Sequence, residues 1–214
     1  MEKTCNSWPH AHFENILWQK GFDFVIGTDE VGKGAFAGPV VVGAVIFPKN
    51  CSFPKGINDS KLLTAQKRNE IEKDIKKASL FWAIAQIEVP VINNIGIEKA
   101  TRMAFRKAIS QILQQVGEKE RAFVLVDGRR KISHLTYIRQ KQQRAIIRGD
   151  QQSLSIAAAS IIAKVYRDAL MTKLSMMYPA YNFFQNKGYG TREHKAFLKE
   201  LGVSRIHRTS FRLL

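Results

Sequence analysis

The sequence predicts an α/β fold, a mixed five-stranded sheet flanked by helices with a C-terminal helical extension, and three observations predict it. Short β-branched runs alternate with longer segments of helical period. The runs come as three strands with a helix interposed, then two more strands with helices, an order that suits a sheet covered on its faces. No internal repeat, low-complexity tract or Pro/Ser-rich linker divides the 214 residues, so a single large domain is expected.

Taken in order, residues 1–21 read as a poorly patterned arm and 22–214 as the domain, whose basic helical part begins at about 180. Residues 22–28 read as a strand, and after a Gly-rich turn 40–47 form a second apolar, β-branched one. Residues 66–77 suit a charged amphipathic helix with Ile71 and Ile75 inward, and 80–89 return to strand character. From 97 to 116, Ala100, Met103, Ala104, Ala108, Ile112 and Val116 recur at helical spacing. The short buried strand 122–126, ending in Asp127-Gly128, completes a strand–helix–strand crossover. Residues 145–147 are the fifth strand, and 153–177 a long helix whose Ala157-Ala158-Ala159 stretch permits close packing on a sheet. A last helix, 192–201, has Thr191 as N-cap.

Lys and Arg number 34 against 18 Asp and Glu, for a formal charge of +16 and a sequence pI of about 10.0. Residues 131–214 carry 15 of those cations against Asp150, Asp168, Glu193 and Glu200, a net of +11. A polyanionic partner facing the C-terminal part is the first expectation, with a merely solvated basic surface as the alternative. Cys5 and Cys51 lie far apart without C-x-x-C spacing, which suggests neither a disulfide framework nor a zinc knuckle and fits a reducing cytoplasm. The apolar run 35–47 is broken by Gly38, Pro39 and Gly43 and is shorter than the ~20 residues of a membrane span. No membrane partner and no signal peptide are expected.

In so basic a chain the acids that remain at strand ends stand out: Asp29-Glu30, Asp127 and Asp150. Sites in open α/β sheets form at the carboxyl ends of strands. If the strands ending at Thr28 and Val126 lie side by side and parallel, their carboxylates meet. Such groups repel one another and resist ionisation unless a cation neutralises them. Oxygen-only donors favour Mg²⁺ or Mn²⁺ over zinc. A basic surface around clustered carboxylates is what two-metal phosphodiester hydrolysis requires. Taken singly, Asp127-Gly128 also reads as a turn and Asp29 as a strand-end cap. The turn Val31-Gly32-Lys33-Gly34-Ala35-Phe36-Ala37-Gly38-Pro39 lets backbone N–H groups approach a ligand, and its G-x-G-x-x-x-G spacing matches neither the dinucleotide fingerprint nor the P-loop.

The string Gly27-Thr28-Asp29-Glu30-Val31-Gly32-Lys33-Gly34, followed by Gly38-Pro39-Val40, resembles the signature of the ribonuclease HII family. Further family-like blocks follow: Asn58-Asp59-Ser60-Lys61, Val126-Asp127-Gly128, Gly149-Asp150, Ala158–Lys164, Lys187-Gly188-Tyr189-Gly190-Thr191 and Ile206-His207-Arg208. The resemblance covers nearly all of the chain from residue 22. It implies a ribonuclease H-like fold, with Asp29, Glu30, Asp127 and Asp150 as the metal-binding and catalytic acids. It also implies that Gly32, Lys33, Gly34 and Tyr189 read the junction between a ribonucleotide and the next deoxyribonucleotide, where a 2′-OH gives way to none. Lys61 and Lys164 look like phosphate contacts. The implied enzyme cuts the RNA strand of RNA–DNA hybrids and nicks duplex DNA 5′ of a single embedded ribonucleotide, using Mg²⁺ or Mn²⁺; a monomer is expected. The central residue of the glycine loop is more often Arg in this family. Lys33 neutralises a phosphate without the bidentate fork of a guanidinium. The related type 3 enzymes usually carry an extra N-terminal domain, for which a 21-residue arm is short.

Other candidates have plainer readings. Asp168, inside a helix, pairs with Arg167 or Lys164; His10 and His12 are solvated; His207 is structural; Trp8, Trp18 and Trp82 pack; Asp59 orients Lys61. A non-catalytic nucleic-acid-binding protein and another nuclease on the same fold are the alternative functions.

Overall fold

The computed structural model describes residues 8–117 and 121–214. Cys5 of the cysteine pair lies outside them. Five strands, β1 (Phe24–Val31), β2 (Val40–Ile46), β3 (Phe81–Ile87), β4 (Ala122–Asp127) and β5 (Gln143–Ile146), form one sheet in the order β3-β2-β1-β4-β5. β1, β2 and β3 are antiparallel neighbours, whereas β4 and β5 run parallel to β1. Thr28 is registered opposite Val126, the parallel adjacency that the strand-end acids require.

Helices α1 (His12–Gln19), α2 (Ala65–Ala78), α3 (Val89–Ile95), α4 (Ile97–Leu113), α5 (Leu154–Met177), α6 (Phe183–Asn186) and α7 (Arg192–Leu201) complete the framework. None is long and apolar enough to cross a membrane among the described residues. One face of the sheet packs Ile26, Val42, Ala44 and Val124 against Ala104, Ala108 and Ile112 of α4. The other packs Val45 and Phe47 against α2 and the alanines of α5.

α5 lies almost on the sheet because two strand positions have no side chain. A Cβ on Gly27 would come within 2.2 Å of the Ser155 backbone, and one on Gly43 within 2.3 Å of the Ala159 carbonyl. Facing residues 157–159 are alanines, fully buried. Small residues on both sides therefore bring Ser160 of α5 to Asp29, which shares a sheet face with Gly27 by strand alternation.

Several elements depart from the sequence expectation. The supposed arm contains α1, which buries Leu17 and Trp18 against Val25 and Leu125. Residue 89 begins a helix instead of ending a strand, because Pro90 occupies the first turn of α3, where a missing N–H costs nothing. The fifth strand starts at Gln143, two residues early. Trp18 is buried as expected, but Trp8 and Trp82 are exposed, Trp82 beneath the Lys76 ammonium at 4.2 Å.

α1 is tied down through Glu14, 1% exposed. Its Oε1 accepts from Ser153 Oγ (2.6 Å), Ser155 N (3.0 Å) and Ser155 Oγ (2.6 Å). A carboxylate at the N-terminus of α5 meets unpaired amides and the positive end of the helix dipole. Glu14→Ala is expected to cost about 2 kcal/mol, lowering the melting temperature by about 6 °C in a chain of this size. Glu14→Gln, which keeps the acceptor, should lose less. Equal melting of Glu14→Ala and the native protein would remove the capping role.

Candidate active site

Asp29 and Glu30 sit near the end of β1, within it and not beyond it, so their side chains leave on opposite faces. Asp29 points toward α5 and Glu30 toward α4. Asp127 ends β4, and Asp150 lies in a single 3₁₀ turn, Gly149–Gln151, after β5. Asp127 holds that turn in place, its Oδ1 accepting from Gly149 N at 2.6 Å. A Cβ at Gly149 would stand 2.7 Å from Ile156 Cδ1, so the turn packs tightly against α5.

Three of these acids, Asp29, Glu30 and Asp127, are raised by burial, and the carboxylates around them add to the rise. Burial pushes the Asp29 carboxyl well above its ordinary range, and Asp127, Glu30 and Asp150 push it further; the nearby Ser160 hydroxyl opposes them. Burial raises Glu30 to about 7 against relief from Lys33, with Asp127 adding to the rise. Asp127 is raised by burial too, although the Gly149 amide offsets part of it. Lys33 relieves Glu30 and Lys61 relieves Asp127, but neither outweighs burial and the neighbouring carboxylates, so Asp29, Glu30 and Asp127 stay reluctant to ionise.

The cleft at these acids, about 490 Å³, is lined by Asp29, Glu30, Asp127, Lys61, Lys164 and Tyr189, and also by Gly32 and Lys33 of the glycine loop. Gly34 has open space around its α-carbon. Asp150 borders the cleft through Lys61, whose Nζ donates to Asp150 Oδ2 at 3.1 Å. Burial draws the Lys61 ammonium down, but Asp150, Asp59 and Asp29 outweigh it and the net shift is upward. Asp59 orients this lysine as expected: its Oδ1 accepts from Lys61 N, and its Oδ2 from Gln151. Lys164 is held by Asp168 at 2.7 Å, and Asp168 also pairs with Arg68 at 3.5 Å. Lys33 pairs with Glu98 at 2.8 Å.

Sequence reasoning passed over four residues here. Ser160 lies close enough to Asp29 to offset part of the rise of its carboxyl and pairs with Ser60 Oγ at 2.9 Å; both serines lay inside the quoted blocks without a role. Arg167 and Arg208, counted among the cations facing phosphate, are instead fully buried. Arg167 donates to the carbonyls of Ala37, Pro39 and Lys187. Arg208 donates to those of Lys33 and Gly38. Together they staple the glycine loop to the segment carrying Tyr189, whose ring lies 5.3 Å from the Arg167 guanidinium. His207 is buried and structural, as read, while His10 and His12 lie at the surface.

An all-oxygen set of crowded acids, only partly offset by Lys33 and Lys61, fits a hard divalent cation. Among the described residues, no group of three or more ligating side chains is already arranged around a single metal position, as mutual repulsion and the engaged oxygens of Asp127 and Asp150 would lead one to expect.

Residues 26–214 match the family model described as Ribonuclease HII. The chain is 41% identical over 202 residues to the Ribonuclease HII of Syntrophus aciditrophicus (strain SB), an overlap of 94% of this chain and 90% of that one. In fold it is similar to the ribonuclease HII in the PCNA complex from Archaeoglobus fulgidus (TM-score 0.70, 23% identity, 89% of this chain and 96% of that one). It is also similar in fold to Bst ribonuclease HIII in complex with Mn²⁺ (TM-score 0.70, 20% identity, 92% of this chain and 70% of that one).

Proposed function

The chain belongs to the ribonuclease HII family, a ribonuclease H hydrolase, and from that premise we propose that it nicks duplex DNA 5′ of single embedded ribonucleotides as well as cutting RNA–DNA hybrids. The observation that carries this reading is the convergence, on one cleft, of acids from β1 and β4 with the glycine loop and Tyr189. Asp29, Glu30, Asp127 and Asp150 would hold two divalent cations, Mg²⁺ or Mn²⁺, with Ser160 fixing the direction of the Asp29 carboxylate. Cations held there would supply an activated water and charge stabilisation at the departing 3′-oxygen, chemistry that would leave 3′-OH and 5′-phosphate ends. The glycine loop offers backbone amides to the nucleotide, and Tyr189 stands against the sugar where the 2′-OH ends.

A second cleft of about 470 Å³ supports a path for the phosphate backbone. It shares Glu30, Lys33 and Asp127 with the first and adds Arg102, Arg129 and Arg130. Among the described residues none of these three arginines has an acid within salt-bridge distance, so each is available to phosphate. Thr101, which also lines this cleft, is 4% exposed, and its buried hydroxyl has no hydrogen-bond partner. The Lys33–Glu98 pair is exposed on both sides and therefore weak, so a phosphate can displace Glu98 from Lys33.

The test is a labelled duplex with one ribonucleotide, resolved to single-nucleotide length beside an all-RNA hybrid, with and without chelator. Cleavage 5′ of the lone ribonucleotide is expected, and chelator should stop it. Tyr189→Ala should reduce cleavage there more than in the hybrid, where many ribose contacts are available. Lys33→Ala should raise KM about tenfold, the scale of one charge-assisted contact, without a comparable loss in kcat. Cleavage of the hybrid with none at the single ribonucleotide would defeat the proposed specificity.

A further inference from the structure

The C-terminal part buries two histidines that stand apart from the acids. His194, in the first turn of α7, and His207 are 0% and 1% exposed and face each other Nε2 to Nε2 at 3.0 Å. The partners of their other nitrogens fix both tautomers. A carbonyl oxygen only accepts, so His194 Nδ1, 2.9 Å from Tyr189 O, carries a proton. A backbone N–H only donates, so His207 Nδ1, 2.8 Å from Ser204 N, is bare. With neutral rings the remaining proton lies on His207 Nε2 and is donated to His194 Nε2.

Neutrality follows from the surroundings. The rings of Tyr181 and Phe183 stand 4.8 Å from His207 and 5.5 Å from His194. Burial pushes both imidazoles down, His207 to about 4 with His194 adding to the fall. The hydrogen bonds thus run one way, from the Ser204 amide through two rings to the Tyr189 carbonyl.

The Tyr189 backbone has little other freedom. On its N-terminal side the Gly188 carbonyl accepts from Phe36 N and Ala37 N of the glycine loop. On its C-terminal side Gly190 is pressed so close to the Phe36 ring that a Cβ would stand 2.4 Å away. The carbonyl between them takes Thr191 N and His194 Nδ1.

We propose that His194 is a positioning residue for Tyr189, setting the direction of its backbone and hence of its ring, and that His207 holds His194 in the tautomer able to do so. This rests on the reading of Tyr189 as the residue that senses the ribonucleotide junction. Two substitutions separate the roles of the His194 nitrogens. In His194→Asn the amide nitrogen takes the place of Nδ1, keeping the donor to Tyr189 and losing His207. In His194→Gln the amide group takes the place of Nε2, keeping His207 and losing Tyr189.

The experiment measures kcat and KM for both variants, in the full chain, on the single-ribonucleotide duplex and on the all-RNA hybrid, with thermal melting alongside. His194→Gln is expected to raise KM about fivefold on the single-ribonucleotide duplex, the scale of one net hydrogen bond, with hybrid cleavage within about twofold of native. His194→Asn should keep the native ratio between substrates even if it melts earlier. Equal ratios in the two variants would overturn the proposal. Tyr189→Ala separates this failure from a wider one. If Tyr189→Ala shifts the ratio and His194→Gln does not, the positioning role falls; if Tyr189→Ala shifts nothing, the junction reading falls first. Nitrogen-15 spectra give an independent check on the native protein: His194 protonated on Nδ1 and His207 on Nε2 are expected, and the reverse would overturn the relay.

Discussion

Asp29→Asn and Asp127→Asn are each expected to abolish cleavage, retain folding and duplex binding, and make the metal-free protein more heat-stable. The two effects have one cause. Both acids are raised by burial, and their neighbouring carboxylates add to the rise, so the folded protein carries a repulsion that the unfolded chain does not. Neutral Asn removes that repulsion together with the charge a divalent cation needs. Loss of the cation's stabilisation of transition-state charge is worth about 4 kcal/mol, roughly a thousandfold in rate. The same origin predicts a pH dependence. Glu30 titrates at about 7 when folded and at 4.5 in its ordinary state, so the folded protein binds this proton more tightly. The stability linked to it is present below pH 4.5 and is lost as pH rises through 7. In chelator, melting temperature should therefore rise as pH falls from 8 to 5. Saturating Mg²⁺ or Mn²⁺ should flatten that slope, because the cation takes the place of the proton. Near-normal turnover in either Asn variant, or the same slope with and without metal, would sink the assignment of these acids.

Much of this site was legible because acids are scarce in the chain and the informative ones stand near strand ends. Asp29, Glu30 and Asp127 needed only a parallel β1–β4 pair to meet, and the sheet supplies it. Asp150 was legible as a residue but not by its geometry: a 3₁₀ turn, held by the Asp127 carboxylate, brings it in. The alanines of α5 announced close packing, whereas the matching absences of side chain at Gly27 and Gly43 become meaningful only once the sheet register is known. Ser160 could not be singled out, since a serine one residue past an alanine run looks like any helical serine until strand alternation places Asp29 opposite it. α1 was missed because three of its eight residues carry the burial, too few for a periodic signal. The largest misreading was of charge. A guanidinium that donates to backbone carbonyls in the interior has the same letter as one that meets phosphate, and the need for Arg167 and Arg208 lies in loop carbonyls that no strand or helix satisfies.

Arg167→Met is expected to lower the melting temperature by about 10 °C and to weaken substrate binding, although residue 167 touches none of the four acids. Arg167 is 0% exposed, and its three nitrogens donate to Pro39 O at 3.1 Å, Lys187 O at 2.9 Å and Ala37 O at 3.1 Å. Burial lowers its pKa, with Tyr189 and Asp168 opposing the fall, and the three carbonyl oxygens that accept from it stabilise the charge. Methionine fills similar space but leaves three buried acceptors unpaired, each costing about 1 to 3 kcal/mol. Relaxation and entering water recover part of this, leaving about 4 kcal/mol, or about 10 °C for a chain of this size. Gly32 ties the staple to the substrate side: at φ +83° it has no Cβ, and one placed there would stand 2.0 Å from Arg167 Nε. Gly32→Ala should therefore reproduce the weakened binding by pushing the guanidinium off its carbonyls, in addition to straining the backbone. Arg167→Lys should fall between native and methionine, since one ammonium reaches fewer of the three carbonyls than a planar fork. Calorimetry on the three variants, with KM measured below their melting points, decides the matter. An Arg167→Met protein that melts within 2 °C of native would falsify the staple.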